Sequence, residues 1–481
     1  MRGMSGELPS DTAEPEIGFL SRFQSLAQLA RRHFHPGRGG RAKLAISVSF
    51  FARIVTTATS FLILPITIRY LGNEGYGLMI TISSVVGWLQ FTNLGIGLGL
   101  QNALIEETAK GNTQAQKELV STAIFSLVAI GLILLGIGLS IFPQIAWTRI
   151  FPPTSAQFTT EIPWTVLVVF LGFISTIVLG FVGPIYAARQ ELHIGSIQNM
   201  VTSILTLLGT LVAVRLNLGL LGIVLCTIGL TAVMQWLYAL WTLYGRKLQE
   251  LRPQLSAITR SAGGRIYKNG LNFFVLQICN IAFFQIDAFL IVTFLTVDQV
   301  TPYSVAQKVF LQTSGLFAIV TGSLWAAYGN AKAQGDFAWI RRTHAKMTRT
   351  FLVFFGGISL FMVLVGHWLL AWWVGAPAAP GTLLIGGVAL YFCAREWTAL
   401  HAMLLNGLDV IRPQIWSLVL AAALTLGLDL ILVTRLGPLG LAVGGFIAFA
   451  ISGAWYLPYL VEKTLRTDAA TTRAHLEPSH P

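Results

Sequence analysis

Ala123–Phe142 reads AIFSLVAIGLILLGIGLSIF, 20 residues without a charge. Trp164–Ile185, WTVLVVFLGFISTIVLGFVGPI, is a second such run of 22. About 20 apolar residues in a helix cross a hydrocarbon core of roughly 30 Å. Inside lipid every backbone N–H and C=O must bond within the chain, so only helices and closed barrels span it. Barrel strands are about 10 residues long and alternate in polarity. These runs do neither, so they are read as transmembrane helices.

The whole chain fits that reading. Of its 481 residues, 54% are hydrophobic and only 11% are charged, against about 25% charged in a soluble domain. Similar apolar runs predict helices near 45–70, 78–105, 118–142, 164–187, 194–215, 219–244, 271–295, 302–328, 350–372, 382–407, 413–433 and 440–460. The expected fold is an all-α integral membrane protein of about 12 helices.

The formal charge of +12 marks orientation rather than nucleic acid. Connectors alternate: 25 of the 32 Lys and Arg fall in one set and 3 in the other. The basic set comprises the N-terminal arm 1–44, the 106–117 loop, Arg189, the 245–270 and 330–349 loops, Arg412 and the tail 461–481. The positive-inside rule places these in the cytoplasm, both termini included, next to anionic lipid head groups. In the arm, Phe19, Leu20, Phe23, Leu26, Ala27 and Ala30 recur at helical spacing, as in an amphipathic helix on the membrane surface. A solvated tail fits equally well. Cys226, Cys279 and Cys393 are far apart in apolar runs, which gives neither a disulfide framework nor a metal knuckle.

Six predicted helices precede the 245–270 loop and six follow it. That loop reads as a linker between an N-terminal bundle, 45–244, and a C-terminal bundle, 271–460. An internal repeat supports the division. Ile197–Gly222 aligns without gaps to Ile415–Gly440, with 8 identities in 26 positions, including the turns Leu218-Gly219-Leu220-Leu221-Gly222 and Leu436-Gly437-Pro438-Leu439-Gly440. An even number of helices per repeat makes the halves parallel, an arrangement that places a substrate path between them.

No catalytic constellation stands out: no phosphate-binding GxxxxGK[ST], no HExxH, no metal-ligand set, and no residues that call for a cofactor. Polar residues inside helices carry the information, because they are expensive in lipid. Arg53, Thr57, Ser60 and Thr67 share a face of the first helix, and Gln90, Asn93, Gly97 and Gln101 one of the second. Gln277, Asn280, Phe284 and Asp287 stripe the seventh helix. Tyr303, Gln307 and Ser314 stripe the eighth beside Lys308, and Arg395 sits mid-helix in the tenth. For the uncharged groups, interhelical hydrogen bonding is the plainer reading. For Arg53, Lys308 and Arg395 a cation-lined cavity is the sharper one, with Gln277 and Asn280 beside them. Asp287 and Glu396 are candidate charge partners or coupling groups. Asp429 in the eleventh helix has no evident partner.

The stretch Pro65-x-x-x-Arg69-Tyr70-Leu71-Gly72-x-Glu74-x-Tyr76-Gly77-Leu78 resembles the signature of the polysaccharide-export flippases, the Wzx-type O-antigen translocases of the multidrug/oligosaccharidyl-lipid/polysaccharide (MOP) superfamily. Leu94-Gly95-Ile96-Gly97 and the two Leu-Gly turns fit the same pattern. Members often carry Asp immediately before Leu94, where this chain has Asn93. The resemblance covers roughly 45–460. It implies a twelve-helix, two-bundle, MOP-like exporter of the inner membrane that flips a polyprenyl-diphosphate-linked oligosaccharide to the periplasmic leaflet. Its implied partners are that substrate, membrane lipids and other glycan-assembly membrane proteins, not nucleic acid. Two alternatives stay open: a multidrug exporter of the same superfamily, and a membrane glycan polymerase or glycosyltransferase.

Overall fold

The computed structural model describes residues 38–87, 95–153, 155–189, 191–268, 283, 286–408, 410 and 412–476. The amphipathic reading of 19–30 and the positions of Gln90, Asn93, Gln277, Asn280 and Phe284 lie outside these residues.

Among the described residues the chain is helical, with no strand. The first bundle comprises α1 (Arg38–Gly87), α2 (Ile96–Lys110), α3 (Thr113–Ile141), α4 (Ile162–Val178), α5 (Val182–Ala188), α6 (Leu192–Arg215), α7 (Gly219–Val224) and α8 (Leu230–Tyr244). The second comprises α9 (Ile286–Phe294), α10 (Val300–Ala333), α11 (Phe337–Val374), α12 (Thr382–Gly407), α13 (Arg412–Leu436), α14 (Pro438–Phe449) and α15 (Tyr456–Leu476). Nine of the described helical segments are long and apolar enough to cross a membrane. The chain is therefore a multi-pass membrane protein. The remaining predicted spans are accounted for otherwise. The first and second run together in α1 through a kink at Gly72, whose φ of 71° is open to glycine without strain. The seventh falls largely outside the described residues. The eighth is the continuous 34-residue α10.

Polar connectors stop these helices where the sequence supplies caps. The Asn112 side chain accepts the Ala115 N–H at 3.1 Å to open α3, and Asp336 accepts that of Trp339 at 2.9 Å to open α11.

The repeat is visible in the backbone. Gly219 and Gly437, 218 positions apart in the aligned turns, both take positive φ, 68° and 61°. Each half also ends in a helix with one π-helical segment, Leu225–Gly229 and Ala450–Ala454. Such bulges concentrate at functional sites.

The bundle has a basic end and an opposite, neutral end. At the basic end, 246–266 folds onto the first bundle instead of hanging between the two. Gln254 N–H donates to Ser121 Oγ at 3.1 Å, and Thr259 N–H to Thr122 Oγ1 at 3.3 Å. Arg265 bridges Glu107 at 2.8 Å and Glu106 at 3.1 Å. Lys110 holds the Glu106 carboxyl below the usual carboxylate range, and Arg265 does the same for Glu107. Leu251, Ala257, Ala262 and Ile266 are buried beneath.

At the neutral end the two halves are clasped by the motif around Gly72. Arg69 donates to the carbonyls of Trp373 at 3.2 Å and Trp372 at 3.4 Å, at the end of α11. Asn73 Nδ2 donates to Pro377 O at 2.6 Å, and its own carbonyl accepts from Thr301 Oγ1 at 2.7 Å. Within the first half, Tyr70 accepts the Gly219 N–H at 2.8 Å and Glu74 accepts the Ser155 N–H at 2.7 Å. Among the described residues, the hydrogen bonds between 38–244 and 286–476 all lie at this end. The motif is thus a clasp that holds this end shut. Interhelical hydrogen bonds in membranes average about 0.6 kcal/mol each, so three or four shift the balance between closed and open by about 2 kcal/mol. The double variant R69A/N73A is expected to raise thiol labelling of a cysteine at Ser60 from the neutral side roughly tenfold. The check uses a background in which Cys226, Cys279 and Cys393 are replaced by Ser, and unchanged labelling removes the gate role.

Candidate functional site

A row of hydroxyls lines the seam between α1 and α6 in the first bundle. Ser196 donates to Ser49 across it at 3.0 Å, and Thr59 and Ser203 share a further hydroxyl contact. These hydroxyls also return bonds to their own helices, as Thr56 does to Ala52 O at 2.7 Å and Thr59 to Thr56 O at 2.9 Å. The seam therefore stays satisfied without water while it offers oxygen atoms to a neighbour.

Beside it lies a cavity of about 410 Å³, lined by Arg53, Ser60, Asn199, Thr202, Thr231 and Lys308 among others. Arg53 is exposed to it and Lys308 is half-buried. The Arg53 guanidinium reaches across the halves to Gly315 of α10, so closely that a side chain there would collide with it. Among the described residues, neither cation forms an ion pair. The sequence-derived pair Arg53 and Lys308 thus meets in one place, at the junction of the two bundles.

Arg395 does not join them. It lines a different cavity of about 270 Å³ within the second bundle, with Thr398, Asn406, Gln414, Ser417 and Ser452. Its Nη1 lies 3.4 Å from Glu396 Oε1, and its guanidinium carbon 5.3 Å from the centre of the Phe392 ring. Side chains at neighbouring helix positions diverge by about 100°, yet both are long enough to fold back and meet. Arg395 therefore has a charge partner and a π face, which lowers the cost of its place in mid-membrane.

Asp287 pairs with none of the three cations. Its Oδ2 accepts from Tyr303 OH at 2.6 Å and from Gln307 Nε2 at 2.8 Å, both on α10. Asp429 of α13, 0% exposed, lies within electrostatic reach of Asp287. Among the described residues, neither of its carboxylate oxygens accepts a hydrogen bond. Gly444 of α14 leaves room for it, since a side chain there would strike Asp429 Oδ1. Two buried acids from α9 and α13 thus share the neutral half of the second bundle. The sequence showed Asp429 without a partner, and nothing in its own helix pointed to Asp287.

Two smaller cavities continue from the Arg53 site into the first bundle. One, of about 330 Å³, shares Thr231 with it and contains Ser83, Ser84, Thr227 and Gln235. The other, of about 240 Å³, shares Asn199 with it and contains Gln198, Tyr186 and Tyr238. Sequence reading missed Gln198, Asn199 and Gln235. Their spacing of polar residues on α6 and α8 was the available signal. Gly97 of α2 packs against Gly180 O, 3.2 Å from where a Cβ would sit, so this glycine serves close helix packing. Among the described residues no group of three or more His, Cys, Asp or Glu is arranged to hold a metal ion.

Comparison with known proteins agrees with this geometry. A candidate O-antigen export protein of Yersinia pseudotuberculosis is 23% identical over 433 residues, which cover 86% of this chain and 94% of that protein. Among solved structures, an inward-facing multidrug-resistance transporter of the MATE family, in the MOP superfamily, superposes with a TM-score of 0.71 at 14% identity, covering 88% of this chain and 99% of that one. The lipid II flippase MurJ in an inward closed conformation gives 0.65 at 13% identity, covering 89% and 90%. These likenesses establish the MOP fold. Residues 45–325 match the polysaccharide biosynthesis protein family, and the chain belongs to that family.

Proposed function

We propose that the protein flips a polyprenyl-diphosphate-linked oligosaccharide, or a polysaccharide subunit, across the inner membrane by alternating access. The observation that carries this reading is the cavity at the junction of the halves, where Arg53 and Lys308 face a lining of hydroxyls and amides without an acidic partner among the described residues. A diphosphate brings the negative charge that these cations lack, through charge-assisted hydrogen bonds. The polyprenyl tail stays in lipid, so only the head group needs the path. The O-antigen export relative and the lipid II flippase fold neighbour support the substrate class. A cationic drug in this cavity meets like-charge repulsion instead.

In this reading the basic end and both termini are cytoplasmic, and the clasped neutral end is periplasmic. The structure is then a state closed to the periplasm. Asp287 and Asp429 are the coupling acids, and Arg395, paired with Glu396, lines the counterpart cavity of the second half. Gln277 and Asn280 remain candidate head-group contacts. The chain is a transporter rather than an enzyme, and it works beside the membrane proteins that assemble the glycan.

The test pairs two measurements in wild-type and deletion strains: surface glycan, and efflux of a fluorescent cation. Deletion is expected to remove the surface glycan and leave efflux unchanged. Normal glycan with impaired efflux overturns the flippase reading in favour of a drug exporter.

A further inference from the structure

The cavity of about 240 Å³ that adjoins the Arg53 site differs from it in chemistry. Thr176, Gln198, Asn199, Gln235, Tyr186 and Tyr238 line it, with glycines and apolar residues, and none of the described lining residues is charged. The side-chain amides of Gln198 and Asn199 form no hydrogen bond among the described residues. The Tyr238 hydroxyl is buried beside that of Tyr186. Its ring is the middle member of a stack, 5.7 Å from Tyr186 at 29° and 5.7 Å from Trp241 at 22°. The Tyr186 hydroxyl is fixed by Thr242 Oγ1 at 3.0 Å, which locks the platform in place. Asn199 lines both cavities, so the uncharged site adjoins the cationic one.

A sugar ring presents hydroxyls, which both donate and accept, around apolar C–H faces. An amide offers a donor and an acceptor on one rigid plane, and a tyrosine held in a stack offers an apolar ring edge beside its hydroxyl. A pocket of convergent polar groups on a mostly apolar wall is the usual form of a small-molecule site. The amides and hydroxyls of the described lining suit a neutral ring, whereas an acidic sugar is drawn to Arg53 and Lys308 next door.

We propose that this cavity is a subsite for an uncharged sugar residue of the transported glycan, with the carrier diphosphate held in the adjoining Arg53–Lys308 cavity. The proposal rests on the flippase reading and adds to it the residues that recognise the sugar. It also accounts for two adjoining cavities of different character: the head group itself has an anionic and a neutral part.

The experiment measures binding of two probes to the purified full-length protein in nanodiscs: undecaprenyl diphosphate, and the lipid-linked glycan extracted from the deletion strain. Wild type is expected to bind the glycan lipid about tenfold more tightly than the bare diphosphate. Gln198→Ala with Tyr238→Leu is expected to erase that difference and leave bare-diphosphate binding unchanged. Unchanged diphosphate binding also shows that the double variant is folded. Tyr238→Phe keeps the platform and is expected to lose only part of the difference. If the double variant keeps the full tenfold preference, or wild type shows none, the subsite is wrong while the flippase reading stands. If wild type binds neither probe, the flippase reading fails and the subsite with it.

Discussion

Replacing Arg53 with alanine is expected to cut glycan export by about 10- to 100-fold, with a normal amount of protein in the membrane. A hydrogen bond to a charged group contributes about 1.5–3 kcal/mol, and 1.4 kcal/mol corresponds to a tenfold change. Arg53 is the group best placed to make such bonds. It is exposed on the cavity, faces Gly315 of the other half, and forms no ion pair among the described residues. A structural arginine would be paired, because a guanidinium in mid-membrane without a partner costs several kcal/mol. Arg53→Lys keeps the charge but loses the planar fork, so it is expected to retain partial export. Lys308→Ala is expected to be milder than Arg53→Ala, since Lys308 lies closer to the neutral end. The readouts are the rate at which glycan appears at the surface and the protein level in isolated membranes. Full export by the Arg53→Ala protein at normal levels contradicts a binding role for this cation.

The second large effect is expected at Asp429. Its carboxylate is fully buried with neither oxygen bonded among the described residues, close to Asp287, which Tyr303 and Gln307 hold in place. An uncompensated buried charge of this kind costs several kcal/mol. A cation, either a proton or a metal ion, relieves that cost when it binds and restores it when it leaves. Asp429→Asn keeps the shape and removes the charge. In vesicles under an imposed ion gradient, the wild-type flux is expected to respond to the gradient and the Asp429→Asn flux to be indifferent to it. Asp287→Asn is expected to behave in the same way, and the double variant no worse than either single one, because the two acids act as a unit. A full gradient response by Asp429→Asn shows that the residue does not couple transport.

The spans and their halves were legible because an apolar run of 20 residues has few alternatives in a chain with so little charge. The repeat was legible from a turn whose glycines need positive φ, and Gly219 and Gly437 do adopt it. The site was only half legible. Helical periodicity shows which residues share a face, but not what that face meets. It therefore grouped Arg53, Lys308 and Arg395, whereas the fold sends Arg395 to a cavity of its own beside Glu396. Asp287 and Asp429 come from α9 and α13, a separation that no local pattern bridges. The hydroxyls of the α1–α6 seam gave no signal, because Ser and Thr in helices commonly bond their own backbone. The motif around Gly72 was recognisable as a resemblance, but its work is visible only in contacts such as Arg69 to Trp373, 304 residues apart. The 245–270 segment reads from the sequence as a linker, and what it packs against was not legible there. Its buried Leu251 and Ile266 and the Arg265–Glu107 bridge dock it on the first bundle.

Leaflet-resolved transport tests the flippase reading most directly. Purified protein is placed in vesicles with the lipid-linked glycan in one leaflet, and the glycan that reaches the other is captured by an impermeant lectin or cleaved by an impermeant glycosidase. The expected result is transfer that depends on the protein, accelerates with an ion gradient and falls about 10-fold or more with Arg53→Ala. Transfer no faster than in protein-free vesicles, with the protein folded and inserted, contradicts it.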